Sequence, residues 1–157
     1  MGTSESMKKV FQTKLTDVTA TDVEGIGTLR FEGARVFKWV KYNDGTAVPA
    51  VAGNAVVYHG DDAVTLDVAA EVTSDYAAGA AIVAGVLMAA PLDTQFGWIQ
   101  IKGIVVMNLA LDSGLDGNNL IVGTTDGSLA VAALAATMVA GYAVDATAKI
   151  VLLNCPW

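Results

Sequence analysis

The sequence predicts an all-β fold, a compact β-sandwich or barrel-like domain behind an extended N-terminal arm, and three observations predict it. Runs of β-branched and aromatic residues recur, RVFKWVKY at Arg35–Tyr42 and FGWIQIKGIVV at Phe96–Val106 foremost. Such side chains fit the pleated, half-buried surface of a sheet. Turn signals built from Gly, Asn, Asp and Pro return about every ten residues, the spacing of a sandwich or barrel. Finally, 54% of the 157 residues are hydrophobic, and Ala and Val supply more than half of them, with 16 Gly alongside. Small and β-branched residues with frequent glycine mark packed strands and tight turns.

The elements follow in order. Residues 1–27 are rich in Thr, Ser, Asp and Gly and end at the GIGT turn of Gly25–Thr28. They read as an extended arm with little structure of its own, ordered only where a neighbour supplies a surface. Residues 28–157 form the β-rich domain. In Arg35–Tyr42, Lys38 and Lys41 fall on opposite faces at a two-residue period, a pattern that suits an edge strand or one covered in part by another subunit. Asn43-Asp44-Gly45 is a strong turn signal, because all three residues tolerate a left-handed backbone. Ala55–His59 is a short strand stopped by Gly60-Asp61-Asp62, and Val64–Val72 reads as a further strand, with helix as the alternative because Asp67 and Glu71 are four residues apart.

Gly79–Ala89 is a buried strand with Gly85 as a bulge or close contact. In the strand from Phe96, Ile99 and Ile101 share the core face, while Trp98, Gln100 and Lys102 share the other. Gly103 bends this strand, which continues over Ile104–Leu111. After the loop LDSGLDGNN come a strand at Leu120–Thr124, the hairpin turn Thr125-Asp126-Gly127 and a partner strand over Ser128–Ala133. Met138–Val144 and Lys149–Asn154 complete the sheet. The competing reading is an Ala-rich helix over Leu129–Ala140, since Ala is the best helix former.

Charge narrows the function. Residues 1–50 hold seven Lys/Arg against six Asp/Glu, whereas residues 51–157 hold two against ten. Direct nucleic-acid binding needs a basic surface that displaces counterions from phosphates, and the acidic body repels it. No window of 18 apolar residues runs without a glycine or charge, so no membrane span is expected. The N-terminus lacks the apolar core of a secretory signal, and a single cysteine, Cys155, reads as a small buried hydrophobe. Synthesis in a reducing cytoplasm follows.

The search for chemistry yields no catalytic set. The single histidine, His59, is a strand-end side chain, and no G-x-S-x-G, P-loop or complete G-x-G-x-x-G occurs. Asp112–Gly117 has the start of a calcium loop but Gly114 and Gly123 stand where an EF-hand needs ligands, so it reads as an ordinary loop. Asp61, Asp62 and Asp67 read as a solvated turn rather than a cation site. Neither cofactor nor metal is expected, and the chain is not expected to be an enzyme.

Several stretches carry a resemblance: GTLRFEGARVFKWVKYN, the AVAGN of Ala50–Asn54, Gln95–Gly103, and a closing pattern of Leu120–Val122, AGYAV and KIVLL. They resemble the capsid decoration (head cement) proteins of tailed bacteriophages, over most of residues 28–154; the arm and the closing Cys155-Pro156-Trp157 fall outside the match. The resemblance implies a non-enzymatic virion protein on the outer capsid surface, commonly a homotrimer at three-fold or quasi-three-fold sites, with the major capsid protein as partner. On that reading Lys8, Lys9, Val10, Phe11 and Lys14 of the arm face the capsid or a neighbour. Trp39, Trp98 and Trp157 are candidate subunit-interface anchors, because Trp is enriched at hot spots, with plain core packing as the alternative reading. The rival readings are a tail, baseplate or fibre-base component and a lipocalin-type ligand barrel, the latter requiring eight long, regular strands.

Overall fold

A computed structural model of the chain describes residues 9–60, 70–132 and 139–156. The described residues form ten strands and no helix: β1 (Leu29–Glu32), β2 (Arg35–Tyr42), β3 (Ala55–His59), β4 (Glu71–Thr73), β5 (Gly79–Leu87), β6 (Phe96–Val106), β7 (Asn119–Val122), β8 (Leu129–Val131), β9 (Gly141–Asp145) and β10 (Ile150–Asn154). The all-β expectation holds. Leu129–Val131 is strand rather than the start of a helix, and residues 133–138 of that Ala-rich run lie outside the described residues, as does most of Val64–Val72.

All ten strands belong to one mixed sheet in the order β1-β2-β4-β3-β5-β6-β10-β9-β7-β8, with β2 also paired to β6. That extra pairing closes β2, β4, β3, β5 and β6 into a ring, in which only β2 and β4 run parallel. The remaining strands leave the ring from the C-terminal half of β6 as a wing, where Lys102–Val106 pair with Ile150–Asn154 of β10. The wing curls back so that β7 packs against β5.

Alternation along each strand explains one shared core. Val36, Val40 and Tyr42 of β2 and Ile99 and Ile101 of β6 turn inward with Val56, Val86, Leu120, Leu129, Val151 and Leu153. Fully burying one such side chain contributes roughly 1.5–3 kcal/mol. The predicted core face of β6 is therefore the observed one.

β2 differs from its expected place at an edge. It lies in the centre, bonded to β1, β4 and β6. Its lysines are accommodated because each has a neighbour: Lys38 Nζ lies 3.2 Å from the Tyr58 hydroxyl, and Lys41 Nζ lies 3.5 Å from Glu71. Burial lowers the Lys38 pKa below its ordinary value and pushes Tyr58 up to about 12.

Two glycines set the shape. Gly103 has φ +95°, and a Cβ there would come 2.8 Å from the Ala34 carbonyl, so only glycine lets β6 turn from ring to wing. The Gln100 side-chain amide donates to the Lys102 and Ile104 carbonyls across this bend. β6 ends at Val106, short of the expected Leu111. Gly127, φ +81°, closes the β7–β8 hairpin as its Thr-Asp-Gly signal predicts.

Candidate interaction surface

The outer face of β6 is divided into two halves, and the division builds the candidate surface. Its N-terminal half carries Phe96 and Trp98, beside Phe37 and Trp39 of β2. These form a second, smaller core against Phe11, Leu15 and Val23 of the arm. Trp39 and Trp98 meet edge to face at 5.1 Å, and Phe11 stands edge-on to Trp98 at 5.6 Å, the geometry that aromatic quadrupoles favour.

The arm closes this cluster with polar groups. The Trp98 indole N–H donates to Thr13 Oγ1 at 2.9 Å, and the Trp39 indole N–H donates to Asp22 Oδ1 at 2.9 Å. Glu24 is buried, and its Oε1 accepts from the backbone N–H groups of Gln12 and Thr13 and from the Thr13 hydroxyl. Arg30 of β1 donates to the Thr13 carbonyl and lies over the Phe11 and Trp98 rings at 4.9 and 5.8 Å. Thr19 and Phe96 exchange two backbone hydrogen bonds. Residues 9–27 form no regular strand, and their cover comes from the same chain.

The predicted site residues distribute as follows. Trp39 and Trp98 are completely buried and hold the chain's own arm, so in this structure neither offers surface to another subunit. Phe11 is half-buried in their cluster, and the Lys9 ammonium is tied to the Glu24 carbonyl at 2.7 Å and the Thr28 hydroxyl at 2.9 Å. Val10 and Lys14 are exposed. Lys8 and Trp157 lie outside the described residues.

Among the described residues, nothing covers the other half of the same face. Beyond the bend, Ile104 and Val106 project outward, and register places Leu152 beside Ile104 and Tyr142 beside Leu152. With Val144 these side chains are 41–60% exposed. Single exposed apolar residues are ordinary, but a contiguous group across three paired strands marks an interaction surface. Sequence reasoning missed it, although Lys149–Asn154 carried a signal: KIVLLN is apolar at both alternating sets of positions, the mark of a strand covered on both faces.

The acidic loops serve the fold. Asp112 Oδ2 accepts from the Thr124 and Thr125 backbones and from the Thr124 and Ser128 hydroxyls. Burial raises the Asp112 pKa, but the donors from Ser128, Thr124 and Thr125 outweigh it and hold the carboxyl below its ordinary value. Asp116 turns away to accept from the Ala146 N–H. Asp75 likewise is lowered, first by the Thr46 hydroxyl and then by the Thr46 N–H. His59 Nδ1 lies 3.5 Å from Glu71, whose carboxylate also accepts from Asn43 Nδ2. Among the described residues, no group of three or more His, Cys, Asp or Glu is placed to hold a metal ion, and no helix is long and apolar enough to cross a membrane. Asp61, Asp62 and Asp67 lie outside the described residues.

Compared with known proteins, the chain matches no family model, no curated protein and no solved structure.

Proposed function

We propose that this chain is a non-enzymatic structural protein of a tailed-bacteriophage virion, which coats and stabilises the outer capsid surface as a homotrimer bridging capsomers. The observation that carries the reading is the division of apolar surface. The sheet buries one aromatic cluster under its own arm and leaves a second apolar stretch open on a strand-built platform. A subunit that wedges between others needs a stiff body and an outward apolar face, and a sheet packed on its core face and partly covered by the arm on the other supplies that stiffness.

The polar groups support the same reading. The carboxylates of Glu24, Asp75 and Asp112 are occupied by the chain's own backbone and hydroxyl donors. The stretches that carry the resemblance, Arg35–Tyr42 and Gln95–Gly103, are β2 and most of β6, the pair that joins ring, wing and arm. The interior of the ring is filled by Val40, Tyr42, Val56, Ile99 and Ile101, which favours a structural subunit over a ligand barrel. The partner is the major capsid protein, met after synthesis in the bacterial cytoplasm.

The test mixes purified protein with heads of the encoding phage assembled without it. Heads that gain mass and withstand heating better carry the proposal. Heads that bind none overturn it, and binding to tails instead moves the protein to the tail or baseplate.

A further inference from the structure

We infer that the bare outer face of β6, β10 and β9, centred on Leu152, is where one copy of this chain meets another. The inference rests on the self-association in the reading above and names the surface responsible.

Register builds the patch. Leu152 stands between Ile104 on one side and Tyr142 on the other, while Val106 pairs with Ile150 in the next outward row. Val144 is exposed two residues along from Tyr142. The result is a patch on the order of 400 Å² of apolar surface, about half of the ~800 Å² that each partner buries in a standard stable interface. Polar positions at its margin, Lys102, Asn119 and Asn154, are exposed and provide a rim.

Charge selects the occupant. The chain carries 16 Asp/Glu and a net charge of −7, so two copies repel wherever carboxylates face each other. The outward positions of these three strands are Lys102, Ile104, Val106, Tyr142, Val144, Ile150, Leu152 and Asn154, with Asp145 in register with Ile150 at a bulge. They hold one cation and one carboxylate, and that carboxylate lies at the end of β9 and accepts from the Ala148 N–H of its own turn. Two like-charged copies therefore meet over the Leu152 centre without opposing acidic groups, the one carboxylate being held at the turn beyond β9, and Lys102 at the rim attracts the acidic body of the other copy. An uncharged, apolar centre is also what homo-oligomer interfaces have, since they are more apolar than transient ones. The first half of the β6 outer face already has its cover in the arm, and the second copy supplies the equivalent cover for the rest.

The experiment is the solution mass of the full chain, by sedimentation equilibrium, with Leu152→Glu and Ile104→Asp as separate variants. The native protein is expected to sediment at a multiple of 16.1 kDa and both variants at 16.1 kDa itself. Both side chains face solvent within the chain, so circular dichroism and thermal unfolding of the variants should match the native protein once each is monomeric. Leu92→Glu, at another exposed leucine, should leave the assembly intact. A native protein that stays at 16.1 kDa overturns the inference, as does assembly of folded variants or equal loss of assembly by Leu92→Glu. Heads that fail to bind a native oligomer would sink the decoration reading and leave this contact standing.

Discussion

The two halves of the β6 outer face make the most informative comparison in this molecule. At Phe96 and Trp98 the face lies with Trp39 of β2 under the chain's own arm, and the two indole N–H groups are satisfied by Thr13 and Asp22. From Ile104 to Val106 the same strand, beyond the bend, turns apolar side chains outward with none of the described residues above them. The difference teaches that apolar sequence on a second sheet face needs a cover, and that the described residues supply it for one half only. The polar partners mark which half is self-sufficient: the covered half has buried donors and acceptors matched within the chain, whereas the bare half is aliphatic with one phenol.

Breaking the covered half has the largest effect. Trp98→Ala removes the centre of the small core and should cost about 3–5 kcal/mol in chemical unfolding; a loss under about 1 kcal/mol would mean the arm is not seated there. Deleting residues 1–27 should uncover Phe37, Trp39 and Trp98 together, seen as binding of a hydrophobic dye to the truncated protein and a lowered melting temperature. A truncated protein as stable and as dye-free as the full chain would show the arm to be dispensable cover.

A smaller loss is expected at Glu24. Glu24→Ala strands the N–H groups of Gln12 and Thr13 and should cost about 1–3 kcal/mol, whereas Gln12→Ala, at an exposed side chain, should change stability by no more than about 0.5 kcal/mol. Equal effects at the two positions would contradict a specific role for the buried carboxylate.

Acid sharpens the picture outside both halves. The Asp112 carboxyl sits below the ordinary carboxylate value of about 4 in the folded chain. Its contribution is therefore complete above that pH and is lost as the pH falls through the lower, folded value. Asp112→Asn should flatten this part of the acid-unfolding curve. An unchanged curve would place the acid sensitivity elsewhere.

The smallest effect belongs to the bare half. Ile104→Ser should alter the stability of the monomer by no more than about 0.5 kcal/mol, measured by urea unfolding of dilute protein, while weakening any assembly. A large loss in dilute protein would mean that Ile104 is packed within its own chain.

Much of the fold was legible because period-two patterning and turn chemistry are local. Ile99 and Ile101 against Trp98 and Gln100 gave the faces of β6, and Thr125-Asp126-Gly127 gave the β7–β8 hairpin. What long-range pairing decides was not legible. Arg35–Tyr42 reads as an edge strand because two lysines interrupt it, and only the placement of Tyr58 and Glu71 beside them makes a central strand possible. The arm reads as unsupported because its composition is polar; its anchoring depends on Glu24 and Arg30 meeting Thr13 across more than ten residues of sequence. For the candidate surface, Trp39 and Trp98 drew attention as large aromatics, yet aromatic size does not say which face is left open. The bare face was written in the two-sided apolar pattern of KIVLLN, which shows only that both sides need cover.

The most direct test of a divided β6 face is hydroxyl-radical footprinting of the full chain at high and low protein concentration. Trp39 and Trp98 should resist oxidation at both concentrations, and Tyr142 and Leu152 should resist it only when the protein is concentrated. Equal labelling of Tyr142 and Leu152 at every concentration, or ready oxidation of Trp98, would contradict the account.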